Sequence, residues 1–368
     1  MSERWFPPGT LHALAQPSTE RIIGLLEAGR REEALETLRT LPQEWAFLHK
    51  LMAESVAATV DYVREQGGDN MAADAVDFVT RKAWRDAFVD IADDRRARVA
   101  AMLDTRWQEE GPSGLTLQDI DAEAWPDKAT LRALTRPRSG ETAVACLESG
   151  DYAGAIEACL DFQHEWGLLH DLLVESVVAL LTFIGERMGE DAVGPALDAM
   201  TERAWTEPFH KIEKLDRRSL LQALAATWRA HSTEGVGPDA GRFRIEEDEE
   251  KFTFVLDPAG SGGRLYRRGM YEPPKSYAKT RRAHPWSFNR EGLPYYCAHC
   301  TFMNEILPIR ESGAPLYPLD PPESPEDVCR WYLYKDPRRI PARFYERYGF
   351  DRDAELARYR ERHDEDDD

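Results

Sequence analysis

Glu44-Trp45-Ala46-Phe47-Leu48-His49 recurs as Glu165-Trp166-Gly167-Leu168-Leu169-His170, 121 residues further on. The match runs without a gap from Glu20–Trp107 onto Glu141–Trp228, and about a third of positions are identical over its best stretch. With one residue of slip it extends upstream, where Trp5 and Pro17 answer Trp125 and Pro137. The pairs Trp5/Trp125, Trp45/Trp166, Trp84/Trp205 and Trp107/Trp228 take up eight of the ten tryptophans. A tandem duplication of this kind constrains the first two thirds of the chain to two similar folding patterns.

Each copy reads as helical. Ile22, Leu25, Leu26, then Gly29, then Ala34, Leu35 and Leu38 predict two short helices around a glycine turn. Val144, Leu147, Gly150, Ala155, Ile156 and Leu160 repeat the pattern. A longer helix is expected from about Pro42 to Arg64 and from Gln163 to Arg187, ended by Gly67-Gly68 and by Gly189. Two further helices per copy lead to Trp84 or Trp205 and carry Trp107 or Trp228. Residues 1–110 and 111–231 are therefore expected to be two all-helical bundles related by a pseudo-twofold. Trp45/Trp166, His49/His170, Glu54/Glu175 and Ser55/Ser176 stand in both copies. Trp and His at i and i+4 share a helix face and read as a buried packing pair. The Glu-x-x-His spacing of two-metal bundles is missing.

The pattern changes at residue 232. Residues 232–241 read as a linker. Arg242–Ile245 and Lys251–Leu256 then flank an acidic turn and predict a hairpin. The fold class expected is a duplicated all-helical bundle region followed by a small α+β metal-binding domain over 242–350. Residues 351–368 read as a charged tail, disordered at its end.

Charge excludes some partners. The chain has 47 Lys and Arg against 67 Asp and Glu, a formal charge of −20. A nucleic-acid surface is not expected. No run of 18 apolar residues and no signal peptide is read, so neither a membrane nor export is expected. Five cysteines with no export signal suit reduced thiols and a cytoplasmic location. A homo-oligomer is left open. Between Arg264 and Arg290 the balance reverses, with eight Lys and Arg against one acid, Glu272. This stretch reads as facing either a small anionic molecule or the acidic helices, the second being favoured.

Three features point to chemistry. Asp257-Pro-Ala-Gly260-Ser261-Gly262-Gly263-Arg264 follows directly on the second strand, and its glycine-rich N–H groups with the Arg264 guanidinium suit an anion. It is not a P-loop. Tyr295-Tyr296-Cys297-Ala298-His299-Cys300 packs three metal-ligand types into four residues. With His284 upstream and Cys329 downstream, the donors suit tetrahedral zinc. Cys297 and Cys300 lead, His284 comes next, and His299 and Cys329 compete for the remaining place. Glu305 on the following helix is a candidate general acid/base, and Tyr295 or Tyr296 a candidate for orienting substrate. A free thiol pair and a redox pair are the competing readings.

The run Gly292-Leu-Pro-Tyr-Tyr-Cys297…Cys300…Gly313-Ala-Pro-Leu316…Asp327-Val-Cys329-Arg-Trp-Tyr-Leu-Tyr-Lys335 reads as helix, strand, turn, strand. Over about 45 residues it resembles the aminothiazoline-carboxylate hydrolase-like and vinyl-reductase-like bacterial domains. The resemblance implies an α+β ligand-binding fold, with Cys297 or Cys300 and Cys329 at its cysteine positions. The Cys-Ala-His-Cys cluster, the glycine turn and the duplication fall outside that pattern. The leading expectation is a zinc-dependent hydrolase or lyase acting on a small anionic, nitrogen-containing metabolite. The alternative is a non-enzymatic binding or scaffold protein with a structural zinc and a helical partner-binding duplication.

Overall fold

The computed structural model describes residues 4–7, 9–84, 93–110, 125, 127–233 and 240–363. Among the described residues up to 233 there is no strand. Nine helices are described there: α1 Thr10–Ala15, α2 Ser18–Glu27, α3 Arg31–Val79, α4 Asp94–Glu110, α5 Lys128–Leu134, α6 Ser139–Ser149, α7 Tyr152–Arg187, α8 Val193–Ile212 and α9 Arg217–Trp228. The chain is mostly helical with one small antiparallel sheet, which is the α+β class. Of the expected linker, residues 234–239 lie outside the described residues.

The helix plan differs from expectation at two places. The short second helix and the long third one are a single helix in both halves, α3 and α7. Pro42 removes one N–H from α3 but does not end it. The reason is the seam Ala34, Leu38, Leu41, Trp45, Leu48, which continues at three-to-four spacing straight through Pro42 and is buried along its length. What interrupts α3 is Gly68, at φ 80° and ψ 177°, a conformation that costs a side chain-bearing residue dearly. Helix α7 is long and apolar enough to cross a membrane by length and composition, and 94% of its most apolar window is buried inside the protein.

The chain forms two compact units that cut across the expected domain boundaries. One is Ala15–Leu180 with Ala225–Arg242; the other is Met1–Leu14, Leu181–Leu224 and Phe243–Asp368.

In the first unit, buried tryptophans anchor the helices through their ring N–H. Trp84 donates to Ser176 Oγ (2.8 Å), Trp107 to Leu134 O (2.9 Å) and Trp166 to Ala230 O (2.8 Å). The glutamate before each repeated tryptophan is also buried or nearly so. Glu44 accepts from Ser18 Oγ at 2.9 Å and pairs with Arg229 at 3.2 Å. Glu165 pairs with Arg106 at 2.8 Å and accepts from the N–H groups of Arg138 and Ser139. At the centre Trp45 stacks on His49 at 3.3 Å, and Trp45 and Trp166 meet edge to face at 4.7 Å. His49 Nε2 and His170 Nδ1 stand 2.9 Å apart, with both residues 2% exposed or less.

The second unit holds the sheet. The predicted hairpin is present as β1 Phe243–Glu247 and β2 Lys251–Leu256, paired Phe243 to Leu256. Strand β2 pairs with β4, Cys329–Tyr334, which also pairs with the short β3, Leu319–Asp320, so the order is β1-β2-β4-β3. Short helices α10 Gly262–Arg267, α11 His299–Thr301, α12 Leu307–Ser312 and α13 Arg343–Glu346 surround it. The chain past residue 350 does not begin as a tail. Arg352–His363 is helix α14, and Leu356 is 2% exposed within a cluster of Ile309, Ile340, Phe344 and Tyr345. Residues 364–368, the end of the expected tail, lie outside the described residues. Residues 4–7 belong to this unit too. The Trp5 N–H donates to Glu247 Oε1 at 2.7 Å, and Trp5 and Phe6 both meet Phe252 edge-on.

Candidate functional site

Strand register builds the candidate site. Cys329, the first residue of β4, pairs with Leu256, the last residue of β2. The glycine-rich turn starts at the next residue, so turn and thiol begin from the same end of the sheet. The turn then packs on the Cys-Ala-His-Cys segment. A Cβ on Gly262 would lie 3.1 Å from Cys297 Sγ and 3.3 Å from the Tyr296 ring, so glycine permits this close approach. Ser261 is buried and hydrogen-bonded to the Tyr296 hydroxyl.

Four donors converge there. Cys297, Cys300 and Cys329 lie within electrostatic reach of one another. His299 Nε2 stands 3.6 Å from Cys300 Sγ. The other ring nitrogen, Nδ1, is tied to the Tyr296 carbonyl. Trp331 donates its ring N–H to Cys329 Sγ at 3.0 Å. Cys300 and Cys329 are buried, while Cys297 and His299 are partly exposed.

Burial governs the protonation of this cluster. It pushes the Cys297 thiol up to about 12, and Cys300 and Cys329 upward as well. It lowers His299 to about 4 against the Tyr296 carbonyl. The side chains are therefore neutral thiols and a neutral imidazole at pH 7. A cation would reverse that preference, because a thiolate bound to metal no longer carries an unpaired buried charge.

Three thiols and an imidazole are the donor types of a tetrahedral zinc site. Zn–S of about 2.3 Å and Zn–N of about 2.0–2.1 Å give a tetrahedral S···N edge of about 3.5 Å. The 3.6 Å between His299 Nε2 and Cys300 Sγ is close to that edge. A ligating imidazole ordinarily donates its second nitrogen to a carbonyl or carboxylate, which is what Nδ1 does here. Among the described residues, however, no set of three or more His, Cys, Asp and Glu side chains stands at full coordination spacing. Binding would require the donors to draw closer together.

The other sequence candidates are placed elsewhere. His284 does not join the thiols. Its Nε2 bonds Glu190 Oε1 at 2.7 Å, and its ring stacks on Trp286 at 4.4 Å. Glu190, 5% exposed, also accepts from the Tyr295 hydroxyl at 3.1 Å and from Arg281 N and Nε. Burial opposes its ionisation, but these donors outweigh it and hold the carboxyl down at about 2. Tyr295 thus faces the Glu190 cluster, while Tyr296 alone of the pair faces the thiols. Glu305 is fully buried and bonded to Arg347, Tyr348 and the Leu319 N–H, which occupies both its oxygens. Arg264, 3% exposed, bonds Gly260 O at 3.1 Å and lies within the unit rather than at its surface. The basic stretch finds acids of its own unit, with Arg281 on Glu190, Arg282 on Asp191 and Lys279 on Glu272.

Sequence reasoning passed over Glu190 and Trp331. Glu190 had one signal, a Gly-Glu-Asp that ends α7. Trp331 sits at i+2 from Cys329 on one strand and so shares its face. Comparison with known protein families, curated proteins and solved structures finds no match, so the site is judged on its own geometry.

Proposed function

We propose that this chain is a zinc-binding protein in which Cys297, His299, Cys300 and Cys329 hold the metal and the metal holds the sheet unit. One observation carries this reading. Two separate segments bring three thiols within electrostatic reach of one another, and one of them stands 3.6 Å from Nε2 of an imidazole whose Nδ1 is tied back. Four protein ligands make a closed site, whose role is to supply folding energy rather than chemistry. The 121-residue duplication would form two helical copies about a pseudo-twofold, with His49 and His170 at the axis. Such a helical pair is read as a partner-binding scaffold. The five free cysteines and the reduced state of the site suit a cytoplasmic location.

Metal content per chain, measured on untagged protein beside melting curves before and after chelation, tests the reading. One zinc per chain is expected, with a large fall in melting temperature when it is removed. Cys329→Ser should lose the metal and His284→Ala should keep it. A protein that binds no zinc, or in which His284→Ala alone abolishes binding, would overturn the assignment.

A second reading is favoured by the partial exposure of Cys297 and His299 and by the Ser261–Gly263 turn and Tyr296 beside them. In it, one ligand gives way to water, and the protein is a zinc-dependent hydrolase or lyase for a small anionic, nitrogen-containing metabolite. Zinc that leaves with little change in melting, together with turnover in a metabolite screen, would select this reading over the first.

A further inference from the structure

The duplication supplies an internal comparison. On α7 the residues Glu157, Asp161, His164, Leu168 and Asp171 follow one face at i, i+4, i+7, i+11 and i+14. Helix α4 covers that face. Arg95 reaches Glu157 at 2.6 Å and Asp161 at 2.8 Å, Arg98 reaches Asp161 at 2.5 Å, and Arg96 reaches Asp171 at 3.5 Å. As a result Leu168 is 1% exposed.

The residues 121 positions earlier are Glu36, Thr40, Gln43, Phe47 and Lys50, on one face of α3. All five are exposed, and Phe47 is 44% exposed where its counterpart is buried. The helix that corresponds to α4 is α9. Its first half belongs to the other unit, where Arg218 lies over Trp5 and Phe6. At the positions that answer Arg95 and Arg98 stand Asp216 and Ser219. A shallow groove of about 440 Å³ runs along it, lined by Leu35, Glu36, Arg39, Thr40 and Gln43.

The charges on this face specify an occupant. Glu36 lies seven residues before Gln43 and Lys50 seven residues after it. A helix with this pattern is complementary to itself when antiparallel about Gln43. Glu36 then meets Lys50 of the partner subunit, Lys50 meets Glu36 of the partner subunit, and Phe47 falls opposite Arg39 of the partner subunit, over the groove. We propose that this face of α3 is an isologous interface with a second copy of the chain, paired antiparallel about Gln43. The contact spans about 21 Å of helix. A contact along one stretch of one helix is small beside standard interfaces, so the dimer is weak and concentration-dependent.

Sedimentation velocity from about 5 to 500 μM tests it. The wild-type chain should shift from monomer to dimer across that range. Phe47→Lys should stay monomeric, as should Glu36→Lys or Lys50→Glu alone, each with unchanged melting because all three positions are exposed. The double variant Glu36→Lys/Lys50→Glu should regain the dimer. A wild-type chain monomeric at every concentration would overturn the proposal, as would a Phe47→Lys variant that dimerises like wild type. A double variant no better than the single ones would overturn the antiparallel register.

Discussion

The buried histidine pair makes stability depend on pH in a window that can be worked out. His49 Nδ1 bonds the Trp45 carbonyl at 2.9 Å, so it carries the proton of the neutral ring. Nε2 is then the acceptor facing His170 Nδ1. Charging His49 would place a cation beneath the Trp45 ring at 1% exposure, and burial lowers its pKa to about 3. In the unfolded chain the value is about 6.5. The folded pKa is the lower one, so the stability is present above the unfolded value and is lost as pH falls toward the folded one. Between pH 7 and pH 5 this group alone removes about 2 kcal/mol. Urea unfolding followed by tryptophan fluorescence at pH 7, 6 and 5 measures the loss, and His49→Gln supplies the reference. The variant should be less stable at pH 7, having lost the stacked ring, but its curve should be flatter by about 2 kcal/mol over the window. His164 and His299, also lowered by burial, are present in both proteins and cancel. Parallel curves for the two proteins would refute the argument.

Three further substitutions have defined outcomes. Glu190→Ala leaves His284, the Tyr295 hydroxyl and the Arg281 N–H without their shared acceptor, and should cost about 3 kcal/mol in chemical unfolding; a loss below about 0.5 kcal/mol would mean the cluster is not structural. Gly262→Ala pushes a methyl toward Cys297 Sγ and the Tyr296 ring, so a loss of about 1–3 kcal/mol is expected, with weaker zinc retention in a chelator competition. Glu305→Gln breaks a buried pair with Arg347 and should cost about 3 kcal/mol while leaving metal content unchanged; loss of metal would bring Glu305 back into the site.

The parts of the fold that could be read are those set by local pattern. The hairpin at 243–256 was legible because alternation and an acidic turn coincide. The continuous α3 was not, because Pro42 is a local stop signal and the seam that overrides it is tertiary. In the site, Cys297, His299 and Cys300 announce themselves by spacing. Cys329 needs the β2–β4 register, which no local pattern specifies. His284 was misplaced because its partner, Glu190, lies 94 residues away on a turn with no chemical motif around it.

The sheet unit is assembled from three stretches of chain, Met1–Leu14, Leu181–Leu224 and Phe243–Asp368. During vectorial synthesis its first stretch leaves the ribosome long before its last. Trp5 and Phe6 must wait, unpaired, until Phe252 has been made. The other unit has all its residues by Arg242 and can settle first. A fragment starting near residue 240 would contain all four thiol-site donors yet lack Glu190, the acceptor that holds His284 and Tyr295. Cutting the chain at its most obvious linker would therefore leave His284 and the Tyr295 hydroxyl without the acceptor that the upstream sequence supplies.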